Sequence, residues 1–186
     1  MDEDGFALEE AHVCVIGLGL MGGSLAMALR GQVSRLSARD VDTGVLQAAL
    51  KRGVIDEEAG PVGADIIVLA APPHRIVEIV PGLNASPGAL VIDLGSTKAR
   101  ICAELDRLPE GVMAVGGHPM CGLAENGFRH AIPDLYQGAR FVLCETARTT
   151  PQARLRAETL VRAVGATPLW MDRHRHDELT ALTSHL

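Results

Sequence analysis

The sequence predicts an α/β protein, a doubly wound and mostly parallel sheet with helices packed on its faces. Three observations carry the prediction. Short apolar runs lack the in-and-out alternation of half-exposed strands, so they belong in a sheet covered on both sides. These runs exchange regularly with stretches of helical spacing. A glycine-rich turn, Gly17-Leu18-Gly19-Leu20-Met21-Gly22, joins the first apolar run to the first helical one.

Taken in order, residues 12–17 form a strand and residues 21–30 a helix. Residues 35–40 supply a second strand, and residues 43–52 a helix stopped by Gly53, a residue suited to the left-handed capping position. Residues 65–71 read as a buried strand ended by Pro72-Pro73, and residues 74–80 as a short helix. A fourth strand at 89–94, a helix at 97–107 and a fifth strand at 112–115 continue the rhythm. Beyond His118 a segment punctuated by Gly and Pro reaches Gly138, and a connector of that length is expected to serve a function. A strand at 140–144 and a helix at 151–164 follow. Residues 173–186 open another helix, in which Leu179, Leu182 and Leu186 recur at helical spacing.

Composition narrows the partners. Of 186 residues, 47% are hydrophobic and 22% charged, which supports one packed domain and argues against disorder. The net charge of −6 and the scarcity of aromatic rings leave little to neutralise phosphates or stack on bases, so no nucleic-acid partner is expected. No apolar stretch reaches the roughly 20 residues that span a bilayer, so no membrane partner is expected either. The acidic start Met1-Asp2-Glu3-Asp4 lacks the basic and apolar regions of a secretory signal, which makes the cytoplasm the expected location. Cys14, Cys102, Cys121 and Cys144 show no CxxC spacing and read as reduced thiols.

The glycine turn is the strongest chemical signal. Gly17 permits the tight turn, Gly19 lets a pyrophosphate approach the backbone, and Gly22 allows close helix packing, with the amides of Leu18, Leu20 and Met21 in the same loop. The helix N-terminus then offers unpaired N–H groups and a partial positive charge. The alternative is a glycine-rich turn kept for packing alone. Asp40, ending the second strand, can accept hydrogen bonds from the adenosine ribose and so favours NAD, while the adjacent Arg39 keeps NADP open. Otherwise Asp40 is a solvated carboxylate at a strand end. Ala71 and Pro72, leaving the third strand, are expected to border the same cofactor in this Rossmann-like arrangement.

Two further strand ends carry polar clusters, Asp93-Leu94-Gly95-Ser96-Thr97-Lys98 and Gly116-Gly117-His118-Pro119-Met120. Ligands of doubly wound sheets sit outside the carboxyl ends of the strands, so both clusters should converge with the glycine turn on one crevice. His118, at a strand exit beside glycine, reads as a proton acceptor in preference to a core histidine. Ser96 and Thr97 either serve the site or cap the next helix, and Lys98 either serves it or is a solvated first-turn lysine. His174 and His176 form an HxH pair without companion ligands at metal spacing, and Asp172 and Asp177 read as a solvated helix start, so no metal is expected. Arg148, Arg154, Arg156 and Arg162 read as an exposed helix face and its approach.

Together, Gly17–Gly22 running on into Gly23, Ser24 and Leu25, then Asp93–Lys98, then Gly117-His118-Pro119-Met120-Cys121-Gly122, resemble the prephenate/arogenate dehydrogenase family in order and spacing. Ala181-Leu182-Thr183-Ser184-His185-Leu186 is similar to the opening of that family's Ser-His-Leu-Pro-His segment. The resemblance implies oxidative decarboxylation of prephenate or arogenate with NAD as hydride acceptor. It assigns His118 to the proton or hydrogen bond of the ring hydroxyl, Ser96 to orienting that hydroxyl and the nicotinamide, and His185 to the neighbourhood of the substrate. It departs from the family's pattern where Leu123 and Ala124 stand in place of a polar and an acidic residue, with Glu125 one position later. The family continues into a helical domain that forms a homodimer and supplies an arginine for the substrate carboxylate. Residues 1–172 are accordingly expected to be the dinucleotide-binding domain, and residues 173–186 the first helix of a helical domain that is mostly absent. A β-hydroxyacid dehydrogenase and a cofactor-binding module without turnover are the competing readings.

Overall fold

The computed structural model describes residues 6–183. The first half contains β1 (His12–Ile16), α1 (Leu20–Leu29), β2 (Arg35–Arg39), α2 (Thr43–Lys51), β3 (Glu57–Glu58), β4 (Ile66–Leu69) and α3 (Pro73–Ile79). The second half adds β5 (Leu90–Asp93), α4 (Ala99–Leu105), β6 (Met113–Pro119), β7 (Arg140–Glu145), α5 (Pro151–Ala163), β8 (Thr167–Trp170) and α6 (Arg173–Thr183). One sheet takes the order β3-β2-β1-β4-β5-β6-β7-β8. Strands β1 to β6 pair in parallel, β7 runs antiparallel to β6, and β8 lies parallel to β7. The doubly wound class expected from the sequence is therefore correct, with a reversed pair of strands at one edge.

The central strands are buried along their whole length, which explains their lack of alternation: all four residues of β4 and of β5 are covered. One apolar layer lies under α1, α2 and α5, built from residues such as Val13, Leu25, Leu46, Ile92 and Leu160; Cys14, Ile67, Ile76, Val91 and Ile101 fill the other, under α3 and α4. Helix α1 is covered on nearly every side, because the long segment after β6 folds back over it. Phe128 and Ala131 press on the helix where Gly23 stands: a Cβ there would come within 2.8 Å of the Phe128 ring. Ser24 Oγ accepts the Ile132 N–H at 3.0 Å, and the buried Tyr136 hydroxyl donates to the Met21 carbonyl at 2.8 Å. The long connector is thus a packed cover for α1.

Several sequence expectations need correction. Strand β6 does not stop at residue 115 but continues through His118 to Pro119, because β7 pairs with that extension, His118 lying opposite Val142. Strands β3 and β8 were not anticipated. The first is two residues long, and the second contains Pro168 at the open edge of the sheet, where its missing N–H costs nothing. The arginines of α5 are not a uniformly solvated face. Arg154 stacks on Trp170 at 3.9 Å, and Arg156, half-buried, covers the Phe6 ring at 4.4 Å and donates to the Gly88 carbonyl.

Candidate functional site

At the carboxyl end of β1 the glycine turn is held by close packing. Gly17 has φ +98°, and a Cβ there would sit 2.6 Å from the Ala70 carbonyl oxygen; at Gly22 it would sit 1.9 Å from the Gly17 carbonyl oxygen. Neither position tolerates a side chain. Gly19 differs. A Cβ there would meet nothing within 4 Å, and no side chain caps the helix N-terminus at this residue. The Leu18 and Leu20 side chains point into the core, and Met21 is half-buried. What faces outward is backbone, with the polarity that suits an anion.

Asp40 leaves β2 beside this turn. Its carboxylate accepts the Leu18 N–H at 2.6 Å and the Asp42 N–H at 2.9 Å, so it braces the glycine loop. Ala71 is half-buried, and Pro72, exposed, occupies the N-cap of α3 across the strand end from Gly17. An open glycine at an uncapped helix N-terminus, with a carboxylate on the next strand, fits the residues of a dinucleotide site.

The second cluster is built on a buried ion pair. Lys98 and Asp93 are both fully buried. The Lys98 ammonium donates to Asp93 and to the Gly117 carbonyl, while the Asp93 carboxylate also accepts the Gly95 N–H at 2.8 Å and the Gly117 N–H at 2.9 Å. This set fixes the ends of β5 and β6 to each other. Lys98 is therefore not a solvated first-turn lysine. Ser96 and Thr97 are exposed, and neither caps α4. That helix begins later, at Ala99, and the cap comes from a distant residue: Asp177 accepts the Lys98 N–H at 2.7 Å and the Ala99 N–H at 2.9 Å.

His118 stands one residue beyond this anchor. Its Nδ1 lies 2.8 Å from Nε2 of His176, and Nδ1 of His176 lies 2.7 Å from the Asp177 carboxylate. No hydrogen bond engages His118 Nε2 among the described residues. Burial, reinforced by the His176 ring and the Lys98 ammonium, pushes the His118 pKa down to about 4, so the ring is neutral near pH 7. At Asp177 burial opposes ionisation, but the amides of Ala99 and Lys98 and the contact with His176 outweigh it and hold the carboxyl below the usual carboxylate range.

His176 and Asp177 are the residues that sequence reasoning missed. The HxH pair does not converge: His176 is buried against His118, whereas His174 is exposed and its N–H, with that of Arg175, is capped by Asp172. Asp177 is no solvated helix start. Among the described residues no group of three His, Cys, Asp or Glu side chains is arranged to hold a metal. A surface cavity of about 370 Å³, lined by Glu145, Arg154, Trp170 and Arg173 among others, shares no residue with these clusters. His185 lies outside the described residues.

A glycine turn at the carboxyl edge of a doubly wound parallel sheet defines a Rossmann-type nucleotide-binding domain. Residues 25–168 match the family model described as prephenate dehydrogenase, nucleotide-binding domain, and the chain belongs to that family. It is 32% identical to the prephenate dehydrogenase of Bacillus subtilis (strain 168), over 93% of this chain and 50% of that protein. The chain spans about half the length of the curated relatives it matches. Among solved structures, prephenate dehydrogenase from Aquifex aeolicus in complex with hydroxyphenyl propionate and NAD+ superposes with a TM-score of 0.88 at 28% identity, over 97% of this chain and 66% of that one. Synechocystis arogenate dehydrogenase gives 0.83 at 30% identity, over 94% of this chain and 64% of that one.

Proposed function

We propose that this chain is the nucleotide-binding part of an NAD-dependent prephenate dehydrogenase, which decarboxylates prephenate to 4-hydroxyphenylpyruvate, or arogenate to tyrosine, with loss of a hydride. The observation that carries the reading is the Nε2 of His118, unengaged among the described residues, standing at the same sheet edge as the uncapped N-terminus of α1. Family membership and the NAD+ held by the Aquifex aeolicus relative support it.

NAD, when bound, accepts the hydride. Gly17 and Gly22 keep the turn tight enough for its backbone to meet the pyrophosphate, with Gly19 leaving the approach open. Asp40 receives the ribose hydroxyls on the lone pairs that Leu18 and Asp42 leave free, which disfavours the 2′-phosphate of NADP. Ala71 and Pro72 border the cofactor across the strand end. His118 Nε2 takes the proton of the ring hydroxyl as the hydride departs and returns it to that oxygen as carbon dioxide leaves and the ring becomes aromatic, and Ser96, exposed just after the neighbouring strand β5, orients that hydroxyl. His185 belongs to the substrate side. Aromatisation of the ring supplies driving force, so alignment and one base are what the protein must provide. A β-hydroxyacid dehydrogenase would need a lysine at the reacting carbon, but Lys98 is committed to Asp93, and Lys51 is exposed at the end of α2.

A homodimer of the whole protein, a cytoplasmic location, and a division into a cofactor domain at residues 1–172 and a helical domain opening at residue 173 belong to the same reading. No helix among the described residues is long and apolar enough to cross a membrane.

Calorimetric titration of the chain with NAD and NADP, followed by NADH absorbance with prephenate or arogenate added, tests the proposal. NAD should bind more tightly than NADP, Asp40→Ala should narrow that preference, and His118→Ala should keep NAD affinity within about twofold while removing any turnover. Failure to bind NAD, or tighter binding of NADP, overturns it.

A further inference from the structure

The proton-accepting nitrogen of His118 is selected from a different part of the chain. We propose that Asp177 and His176, neighbours on α6, act as positioning residues that hold His118 in the Nδ1–H tautomer, leaving Nε2 as the basic nitrogen. This rests on the dehydrogenase reading for its purpose, while the tautomer itself is a property of the chain without substrate.

The Lys98 and Ala99 amides at the head of α4 can only donate, and both point at the Asp177 carboxylate. Asp177 is therefore a pure acceptor. Its third partner, His176 Nδ1, must then carry a proton. In a neutral imidazole the other nitrogen is an acceptor, so His176 Nε2 faces His118 with a lone pair. Since the two rings approach at 2.8 Å, His118 Nδ1 must be the donor, and its remaining nitrogen, Nε2, is unprotonated. The Thr180 hydroxyl, one turn further along α6, donates to the His176 carbonyl and so fixes the backbone that carries the ring. His176 is 2% exposed, leaving little water to offer its ring an alternative partner.

The chain of donors also answers an electrostatic difficulty. A proton arriving on His118 would create a second buried cation near Lys98, whose ammonium already uses Asp93. Asp177, reached through His176, is the anion available to offset it. The surroundings of the histidine pair thus comprise Lys98 and Asp93 from the β5–α4 end and Asp177 and Thr180 from α6. The geometry matches the general rule that an acid–base histidine is oriented through its second ring nitrogen.

Nitrogen-15 NMR of the uniformly labelled chain at pH 7 reads the tautomer of each histidine directly. The unsubstituted chain should show His118 predominantly as Nδ1–H. Asp177→Ala removes the carboxylate that keeps the proton on His176 Nδ1, so His118 should lose its Nδ1–H preference. His176→Phe keeps the Asp177 cap on α4 and removes only the link, so it should also abolish the Nδ1–H preference. Asp177→Glu should restore most of it. Either variant leaving His118 in the Nδ1–H form, with the folded amide spectrum intact, overturns the proposal. So does an Nε2–H form in the unsubstituted chain. If the chain shows the relay but fails to bind NAD, the dehydrogenase reading falls and the relay stands.

Discussion

Replacing Lys98 by methionine should lower folding stability by about 3–5 kcal/mol, the cost of breaking a buried ion pair from one side. Methionine fills nearly the same volume, so the loss is electrostatic and leaves almost no cavity. What remains is the Asp93 carboxylate, fully buried and held by the Gly95 and Gly117 amides alone, and a Gly117 carbonyl without the ammonium. In urea, with a slope of about 2 kcal/mol per molar for a domain of this size, the unfolding midpoint should fall by about 1.5–2.5 M. Adding Asp93→Leu should not rescue the protein. Buried ion pairs can often be exchanged for apolar residues, but this carboxylate also satisfies two buried amides, and each orphaned amide costs about 1–3 kcal/mol. Circular dichroism through a urea series measures both variants. A midpoint shift for Lys98→Met below about 0.5 M, or full recovery in the double variant, would refute the assignment of this pair as the anchor between β5 and β6.

Two further outcomes follow from the site. Gly19→Ala should keep the melting temperature within a few degrees yet weaken NAD at least tenfold by calorimetry, because its Cβ occupies only the ligand's space; Gly22→Ala, colliding with the Gly17 carbonyl, should lose the fold or the turn itself. Stability should decline as pH drops from about 6.5 towards 4, since the folded state holds His118 neutral to about 4 while the unfolded chain takes up the proton near its ordinary value. Below that, the depressed carboxyls of Asp106 and Asp177 extend the loss, their contribution being present above the unfolded carboxyl value and disappearing as pH falls through the folded one. Urea midpoints measured across pH check this, and His118→Asn should flatten the upper part of the decline.

The parallel core was legible because its determinants are local. Val13, Ile67 and Val91 lie in unbroken apolar runs, Gly53 adopts φ +64° as a helix stop, and the glycine turn needs only a strand before it and a helix after. The direction of β7 was not, since no residue from 140 to 145 encodes which way its neighbour runs. Thr97 carries the signature of a helix cap, yet the amides at the head of α4 are taken by Asp177, 79 residues beyond Lys98 in sequence. The same distance hid His176. Its signal was faint: a histidine placed three residues before Leu179 on a helix that must bury that face, adjacent to a carboxylate. For Lys98 the sequence leaves a site role and a solvated first-turn lysine equally open, and only the convergence of Asp93 with the Gly117 carbonyl reveals where its charge goes.

The reversal at β7 has a consequence for the direction in which the later helices travel. In the parallel part of the sheet each helix departs from the ligand edge. After β7 the traffic is inverted: β8 leaves that edge, and α6 climbs back towards it along α4, with Arg173 clasping Asp106 at the tail of α4 and Asp177 its head. The helix that carries His176 is consequently a shaft laid between the two clasps. A rotation of one residue about its axis, about 100°, would withdraw the imidazole from His118 and break both clasps. Under the proposed relay, the tautomer of His118 is thereby tied to the azimuth of α6, and anything that grips that helix would hold it.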